Sequence, residues 1–128
     1  MNFSNFPSKI QNKITEIRVP GAFELPFIAK QVIEKSNLNI DCIITLGCVI
    51  KGETAHFEYI SSACVSTLSK LTLQTNTPIM LGVITAYTKE QAIARSQIDF
   101  DEAGNLNIGY NAANAAFQTL ISKKNHNL

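Results

Sequence analysis

The chain has 128 residues, of which 45% are hydrophobic and 16% charged, and its formal net charge at pH 7 is +1. This length suits one hydrophobic core and is too short for two ordinary domains, so we expect a single domain over residues 1–128 with an irregular N-terminal segment at residues 1–13. The near-zero charge, scattered without blocks of one sign, excludes steering onto nucleic acid or an anionic membrane. Small molecules and other proteins remain as partner classes.

The sequence contains no segment typical of export or of a metal site. No apolar run approaches the length of a membrane span, and MNFSNFPSKI has neither the charged start nor the apolar core of a signal peptide, so a cytoplasmic protein is expected. The three cysteines, Cys42, Cys48 and Cys64, are odd in number, lie in apolar surroundings and lack metal-ligand spacing. We expect buried, reduced thiols and no metal.

Segments typical of strands and helices alternate along the chain. The first, ITEIRVP at residues 14–20, alternates apolar and polar positions and ends at a Pro-Gly pair, which predicts a short strand. From Glu24 to about Ser36, apolar residues recur at three- and four-residue spacing, which predicts an amphipathic helix. DCIITLGCVI, residues 41–50, is a continuous apolar run typical of a parallel strand covered on both faces.

The second half of the chain repeats this alternation. A helix is predicted from about His56 to Leu73, and PIMLGVITA, residues 78–86, has the pattern of another buried strand. Thr88 precedes KEQAIARS as the N-cap of a short helix, and Gln91 completes a capping box. The alanine-rich YNAANAAFQTLISKKN predicts a last helix. This order of elements predicts an α/β fold, a parallel sheet flanked by helices.

Ligands of a parallel sheet bind beyond the carboxyl ends of its strands. Three connections therefore qualify, at residues 20–24, 49–56 and 85–88. The second is the richest, because Gly52 permits unusual dihedral angles or close approach of a ligand, and the amides after it open onto a helix N-terminus that favours an anion such as phosphate. His56 is suited to proton transfer near neutral pH, and an ordinary exposed or capping histidine is the alternative.

Three stretches of the sequence resemble the lumazine synthases, which catalyse the penultimate step of riboflavin biosynthesis. They are VPGAFELP, LGCVIKGETAHFEYI and GVITAYTKEQAIAR, in order and at matching spacing, and the alanine-rich helix follows them. The similarity covers residues 14 to about 120. It implies a three-layer, flavodoxin-like fold and the condensation of 5-amino-6-ribitylaminouracil with 3,4-dihydroxy-2-butanone 4-phosphate to 6,7-dimethyl-8-ribityllumazine, without metal or organic cofactor.

The resemblance also implies roles for individual residues. His56 corresponds to the proton-transfer residue, and Arg95 of a neighbouring subunit corresponds to the residue that binds phosphate, for which a bidentate guanidinium is well suited. The turn that would hold the same phosphate consists of Gly52, Glu53 and Thr54. The implied substrate-binding residues are Ala22, Phe23, Glu24, Cys48, Val49, Ile50 and Leu81, the last at a position where many members carry a phenylalanine.

For several of these positions the residues alone support another interpretation. Arg95 fits a solvated helix position, and Phe23 fits a core position. Glu24 fits a carboxylate favoured by the dipole at a helix start. Lys51 and Glu58 are expected to be solvated.

The resemblance implies an assembly as well. Lumazine synthases form homopentamers, in some members arranged in a sixty-subunit shell, with active sites between adjacent subunits. Riboflavin synthase is a further candidate partner. The small residues of the last helix are compatible with tight packing against another subunit, and packing within the chain is the alternative.

Two departures from the family pattern bear on activity. Ile108 stands where the family carries a lysine, and loss of one such electrostatic donor can cost on the order of a hundredfold in rate. The family's first strand and helix are largely missing, since residues 1–13 alone precede the segment that ends in VPGAFE. A start site placed late in the gene and a truly shortened protein both fit. A pentameric scaffold, or a flavin- or lumazine-binding relative with weak or no turnover, is therefore the alternative function.

Overall fold

The computed structural model describes residues 13–35, 37–98 and 106–128. The predicted irregular segment at residues 1–13 lies outside this range except for Lys13, as does the predicted helix end at Ser36. None of the described helices combines the length and hydropathy needed to cross a bilayer.

Two parallel strands form the sheet of the described chain. Strand β1 (Ile43–Ile50) pairs with β2 (Ile79–Ala86) in a register that sets Ile43 opposite Ile79 and Ile50 opposite Ala86. Both strands coincide with the continuous apolar runs, so both predictions are confirmed. Thr45 of β1 is a buried polar residue, and its Oγ1 donates a hydrogen bond to the carbonyl of Met80 in β2 at 2.9 Å. This bond satisfies the hydroxyl in the interior.

Helices surround this sheet. A 3₁₀ turn at Ala22–Glu24 leads into α1 (Leu25–Lys35), and α2 (His56–Thr75), α3 (Lys89–Ala94) and α4 (Ile108–Asn125) follow. All four helices confirm the sequence predictions. Helix α4 begins two residues earlier than predicted, because the Asn107 side chain accepts a hydrogen bond from the amide of Tyr110 at 2.8 Å and so caps the helix before Tyr110.

One face of the sheet packs against α1 and α2. The core there combines a short α1 residue with apolar residues of α2 and of β2. Its buried members are Ala29, Cys64, Leu68, Leu71 and Val83. Neighbouring residues of a strand point to opposite faces, so Val83 and Ile84 belong to different sides of the sheet.

The other face packs against α3 and α4. Ile84 and Ala86 of β2 form a second core cluster with Ala92, and Ile108 packs against it. Gly82 fits against β1 because it has no side chain: a Cβ there would lie 2.6 Å from both Leu46 Cδ2 and the carbonyl oxygen of Thr45, and at an ordinary contact distance of 3.5 Å from Ala112 Cβ of α4. Helices therefore cover both faces of a parallel sheet, which confirms the predicted α/β fold class.

The predicted strand at residues 14–20 is wrong. Residues 13–19 have no regular secondary structure, and Ile14 and Ile17 are 87% and 48% exposed. A strand requires a neighbour whose N–H and C=O groups pair with its own, and within the described residues β1 and β2 pair with each other and leave this segment without a ladder. Residues 14–20 therefore have the apolar alternation of a strand, but no described strand pairs with them.

The cysteine prediction is right for one residue and wrong for another. Cys64 is buried, and burial raises the pKa of its thiol. Cys42 is half-buried, and its pKa is raised by that burial and by the neighbouring carboxylate of Asp41. Cys48 is exposed. It shares a face of β1 with three other exposed residues because α4 covers that face mainly over β2.

Candidate functional site

The turn that follows β1 is anchored to both strands where they end. The amide of Lys51 donates to the carbonyl of Ala86 at 2.9 Å, which extends the ladder one residue beyond β1. Residues 52–55 then lead directly into α2 at His56. The sequence-predicted phosphate turn thus lies at the carboxyl end of the sheet, where ligands of parallel sheets bind.

Gly52 leaves open space at the centre of this turn. Apart from its two chain neighbours, no atom of the described residues lies within 4 Å of a Cβ built at this glycine. No glycine among the described residues adopts a positive φ, so the expectation that Gly52 supplies unusual dihedral angles is wrong. Close approach of a ligand is the use of glycine that this geometry supports.

The first backbone amides of α2 are poorly satisfied by nearby side-chain acceptors, so they can donate to a bound ligand. The N-cap residue, Ala55, offers no side-chain hydrogen bond. Thr54 Oγ1 accepts from the amide of His56 at 3.4 Å, which is long for a hydrogen bond. The helix that follows has 20 residues, so its dipole and first amides favour an anion at this end.

His56 is the first residue of α2 and is exposed. Its backbone amide makes the weak contact with Thr54, and its ring forms no hydrogen bond with the described part of the chain. The imidazole is therefore accessible to a bound substrate. Placed at the mouth of the turn, it can give or take a proton from a group held there.

The turn after β2 is closed by its own side chains. Thr88 Oγ1 accepts from the amide of Gln91 at 3.2 Å, and Gln91 Oε1 accepts from the amide of Tyr87 at 2.9 Å. The predicted N-cap is confirmed. The returning bond goes to Tyr87 instead of to the N-cap residue itself, so the predicted capping box is closed one residue earlier.

Arg95 lies at the C-terminal end of α3 and is half-buried. Its Nη1 donates to the carbonyl of Gln91 at 3.4 Å, and its own carbonyl accepts from the amide of Ile108 at 2.9 Å. Among the described residues, no hydrogen bond or ion pair joins the guanidinium to His56 or to the turn at residues 52–54. One copy of the chain therefore holds these groups separately.

Phe23 lies on the surface, which excludes the core interpretation. It is 58% exposed and lines a shallow groove of about 450 Å³ between α1 and α2. The α2 wall of this groove consists of Ala63, Thr67, Lys70, Leu71 and Gln74. That wall begins seven residues after His56, or roughly 10 Å along the helix at 1.5 Å per residue. The α2 residues of this groove therefore begin about two helical turns beyond His56.

The neighbours of Phe23 differ in environment. Ala22 is half-buried and packs on the core shared by α1 and α2. Glu24 is half-buried and folds back over Gly21, where a Cβ would lie 3.1 Å from Glu24 Oε2.

The remaining predicted substrate-binding residues lie on the two strands. Val49 is half-buried and packs against the core formed by α1 and α2, whereas Cys48 and Ile50 are exposed on the opposite face. Leu81 is 44% exposed and pairs with Thr45 in the middle of the sheet. It precedes the end of β2 by five residues, roughly 16 Å at the strand rise.

Sequence reasoning missed a cluster that links the two turns. Lys51 Nζ lies 3.6 Å from Glu58 Oε1 and 5.7 Å from the centre of the Tyr87 ring. The Tyr87 ring lies 5.9 Å from that of Phe57. Lys51 and Glu58 were expected to be solvated, and they are half-exposed but paired. No sequence periodicity shows this pair, because the intervening residues include a turn and the start of a helix.

Comparison with known proteins agrees with the resemblance seen in the motifs. The sequence pattern of the family described as 6,7-dimethyl-8-ribityllumazine synthase matches residues 6–124. The chain belongs to the lumazine synthase family. A relative from Caulobacter vibrioides, named 6,7-dimethyl-8-ribityllumazine synthase 1, is 47% identical over 104 residues, which is 81% of this chain.

The aligned region covers 63% of that Caulobacter relative, slightly less than two thirds of its length. It is the matched range 6–124 that carries the lumazine synthase similarity, and this range includes the turn at residues 52–54, His56 and Arg95. No group of three or more potential metal ligands occurs within the described ranges.

Proposed function

We propose that this chain catalyses the condensation of 5-amino-6-ribitylaminouracil with 3,4-dihydroxy-2-butanone 4-phosphate to 6,7-dimethyl-8-ribityllumazine, in riboflavin biosynthesis. One observation carries the proposal beyond family membership. It is the open turn at residues 52–54, which leads into the uncapped start of α2 beside an exposed His56.

The proposed chemistry requires little more than these groups. An amine of the pyrimidine condenses with the ketone to an imine with loss of one water, phosphate is then eliminated, and ring closure with loss of a second water completes the lumazine. The first amides of α2 hold the phosphate, and the space over Gly52 admits it. His56 transfers protons between the reacting groups, and holding both substrates in place supplies much of the rate.

Arg95 is proposed to act on the phosphate of an adjacent copy. Within the described part of the chain its guanidinium makes a single long hydrogen bond, so most of its donors are available to a ligand there. We propose that the active enzyme is a homopentamer with sites between subunits, and that Ala22, Phe23, Glu24, Leu81 and the segment Cys48, Val49 and Ile50 form the pyrimidine and ribityl side. A larger shell and riboflavin synthase as a partner belong to the same proposal.

Two further proposals concern the chain as a whole. Packing of α2, α3 and α4 on one sheet, and of α1 on α2, supports a single domain. The three free cysteines fit a reducing, cytoplasmic location, since oxidising compartments favour disulfides.

A pentameric scaffold or lumazine-binding protein without turnover is the second candidate. Ile108, which occupies the position of the family lysine, is half-buried and packs against the core formed by Ile84, Ala86 and Ala92. It therefore has a structural role and contributes no charge to the site.

Turnover by the purified chain distinguishes the two candidates. The aminoribityluracil and the butanone phosphate are mixed with protein, lumazine fluorescence is followed above the uncatalysed rate, and mass is measured by light scattering. Catalysis by a pentamer or larger assembly is expected. A folded assembly that binds lumazine but shows no rate above background would establish the scaffold function instead.

A further inference from the structure

Lys51 is restrained from three directions beside the phosphate turn. Its amide is bonded to the carbonyl of Ala86 at 2.9 Å, its Nζ lies 3.6 Å from Glu58 Oε1, and the same nitrogen lies 5.7 Å from the centre of the Tyr87 ring. Tyr87 in turn contacts the ring of Phe57. The backbone bond fixes where the side chain begins, and the two contacts of Nζ favour a position of its charge beside the turn.

The position of the Lys51 charge matters because carboxylates surround the turn. Glu53 lies in the turn itself and Glu58 lies in the first turn of α2, so two carboxylates are near the place where a phosphate would bind. Like charges repel, and a carboxylate in the first turn of a helix competes with an anionic ligand for the same dipole. Among the described residues, Lys51 is the cation paired with Glu58.

We infer that Lys51 is a positioning residue that neutralises Glu58 and so permits a phosphorylated substrate to approach the start of α2. The inference rests on the proposed function and deepens it, because it concerns recognition of the phosphorylated substrate at the same site. Lys51 acts through Glu58 and the Tyr87 ring, which keep its charge beside the turn. It requires no direct bond between Lys51 and substrate.

A charge cycle at positions 51 and 58 tests this inference through the KM for each substrate. Lys51→Gln is expected to raise the KM for the butanone phosphate roughly twofold to fivefold, in the range of exposed ion pairs, and to leave the KM for the pyrimidine unchanged. Glu58→Gln should lower the first KM or leave it unchanged. The double variant should return to within about twofold of the original KM. In it the Glu58 carboxylate, which Lys51→Gln alone leaves unpaired, has been removed as well.

Two controls separate charge from structure. Lys51→Arg keeps the charge and should retain the original KM values. Arg18→Gln removes a cation from another exposed ion pair, in which Arg18 Nε lies 2.7 Å from Glu16 Oε1, and should change neither KM. Thermal midpoints of all variants report whether each remains folded.

Several results would overturn the inference. Equal effects of Lys51→Gln on both KM values, or an increase with Glu58→Gln that adds to that of Lys51→Gln, would assign the pair a structural role. If the unmodified chain shows no turnover, the proposed function fails separately, and calorimetric titration with inorganic phosphate then decides. Weaker binding to the Lys51→Gln variant would uphold the inference, and equal binding, or no binding to either protein, would reject it.

Discussion

Two turns at the carboxyl end of the sheet differ in how they use their amides. After β2, Thr88 and Gln91 close the turn with hydrogen bonds of 3.2 and 2.9 Å. After β1, the N-cap residue Ala55 offers no side-chain acceptor, and the long contact from Thr54 is the side-chain bond to the first amides. The same position in the sheet thus carries one closed and one open helix start.

The capped start of α3 contributes to stability, whereas the open start of α2 leaves amides available for binding. A side-chain cap satisfies amides that would otherwise need water or a ligand, and the helix gains stability from it. Helix α3 has six residues and depends on such a cap, whereas α2 has 20 residues and packs on the core along its length. The longer helix can leave its first amides open because its packing holds it in place.

Among replacements in the two turns, that of His56 is expected to change the catalytic rate the most. His56→Ala should lower kcat by roughly a hundredfold to ten-thousandfold, the usual range for a positioned proton-transfer group. Stability should change little, because the side chain is exposed. Lumazine fluorescence gives the rate and a thermal melt gives the midpoint.

The second histidine provides a matched control for this experiment. His126 follows α4, and its Nδ1 lies 2.9 Å from the carbonyl of Ser122. His126→Ala should retain the original rate. A similar loss of kcat in both variants, or a loss of folded protein in His56→Ala, would contradict the role proposed for the open turn.

Replacement of Arg95 tests whether the element after the closed turn serves the open turn of another copy. Arg95→Ala should raise the KM for the butanone phosphate by roughly tenfold to a hundredfold, as expected for the loss of a charged hydrogen bond to phosphate. The KM for the pyrimidine should change far less. Initial rates at varied concentrations of each substrate give both values.

Mixing variants makes this test sharper. If Arg95 acts across a subunit boundary, assemblies reconstituted from His56→Ala and Arg95→Ala chains contain some sites with both original residues. At a butanone phosphate concentration well below the raised KM, where both variants alone are slow, activity then partly returns. No recovery in mixed assemblies would mean that Arg95 acts within its own chain or not at all.

Replacement of the two turn threonines compares the turns directly. Thr88→Ala should lower the free energy of unfolding by about 1 kcal/mol, the usual cost of losing an N-cap, and leave both KM values unchanged. Thr54→Val should do the reverse, raising the KM for the butanone phosphate with little change in stability, because its hydrogen bond of 3.4 Å is weak. Urea denaturation and steady-state kinetics measure the two effects. A change in phosphate KM with Thr88→Ala would remove the distinction between the turns.

The parts of this fold that could be predicted from sequence are those with local causes. The apolar runs of β1 and β2 and the Thr88 cap depend on residues next to one another, and each was identified. The predicted strand at residues 14–20 failed because a strand depends on a neighbour far away in sequence. Alternation of apolar residues describes what a segment can do and not whether a partner is present.

The site was predictable in part for the same reason. Gly52 and His56 share one short turn, so their proximity follows from the sequence. The ion pair between Lys51 and Glu58 depends on the angle at which the turn enters α2, and the position of Phe23 depends on how α1 lies across α2. Neither angle can be obtained from residue spacing.

Thiol labelling should show the smallest effect and tests which side of β1 is open near the turn. Cys48 is exposed and should react first with iodoacetamide, while Cys64 and Cys42 react slowly because they are shielded and their raised pKa values reduce the thiolate fraction at neutral pH. Raising the pH should narrow this difference in labelling rate.

Since Cys48 precedes the open turn by a few residues, a pyrimidine substrate bound along β1 should slow its labelling a few-fold, as measured by mass spectrometry of peptides. Protection of Cys48 by inorganic phosphate alone, without pyrimidine, would move the phosphate from the start of α2 to the strand and break the distinction between the two turns.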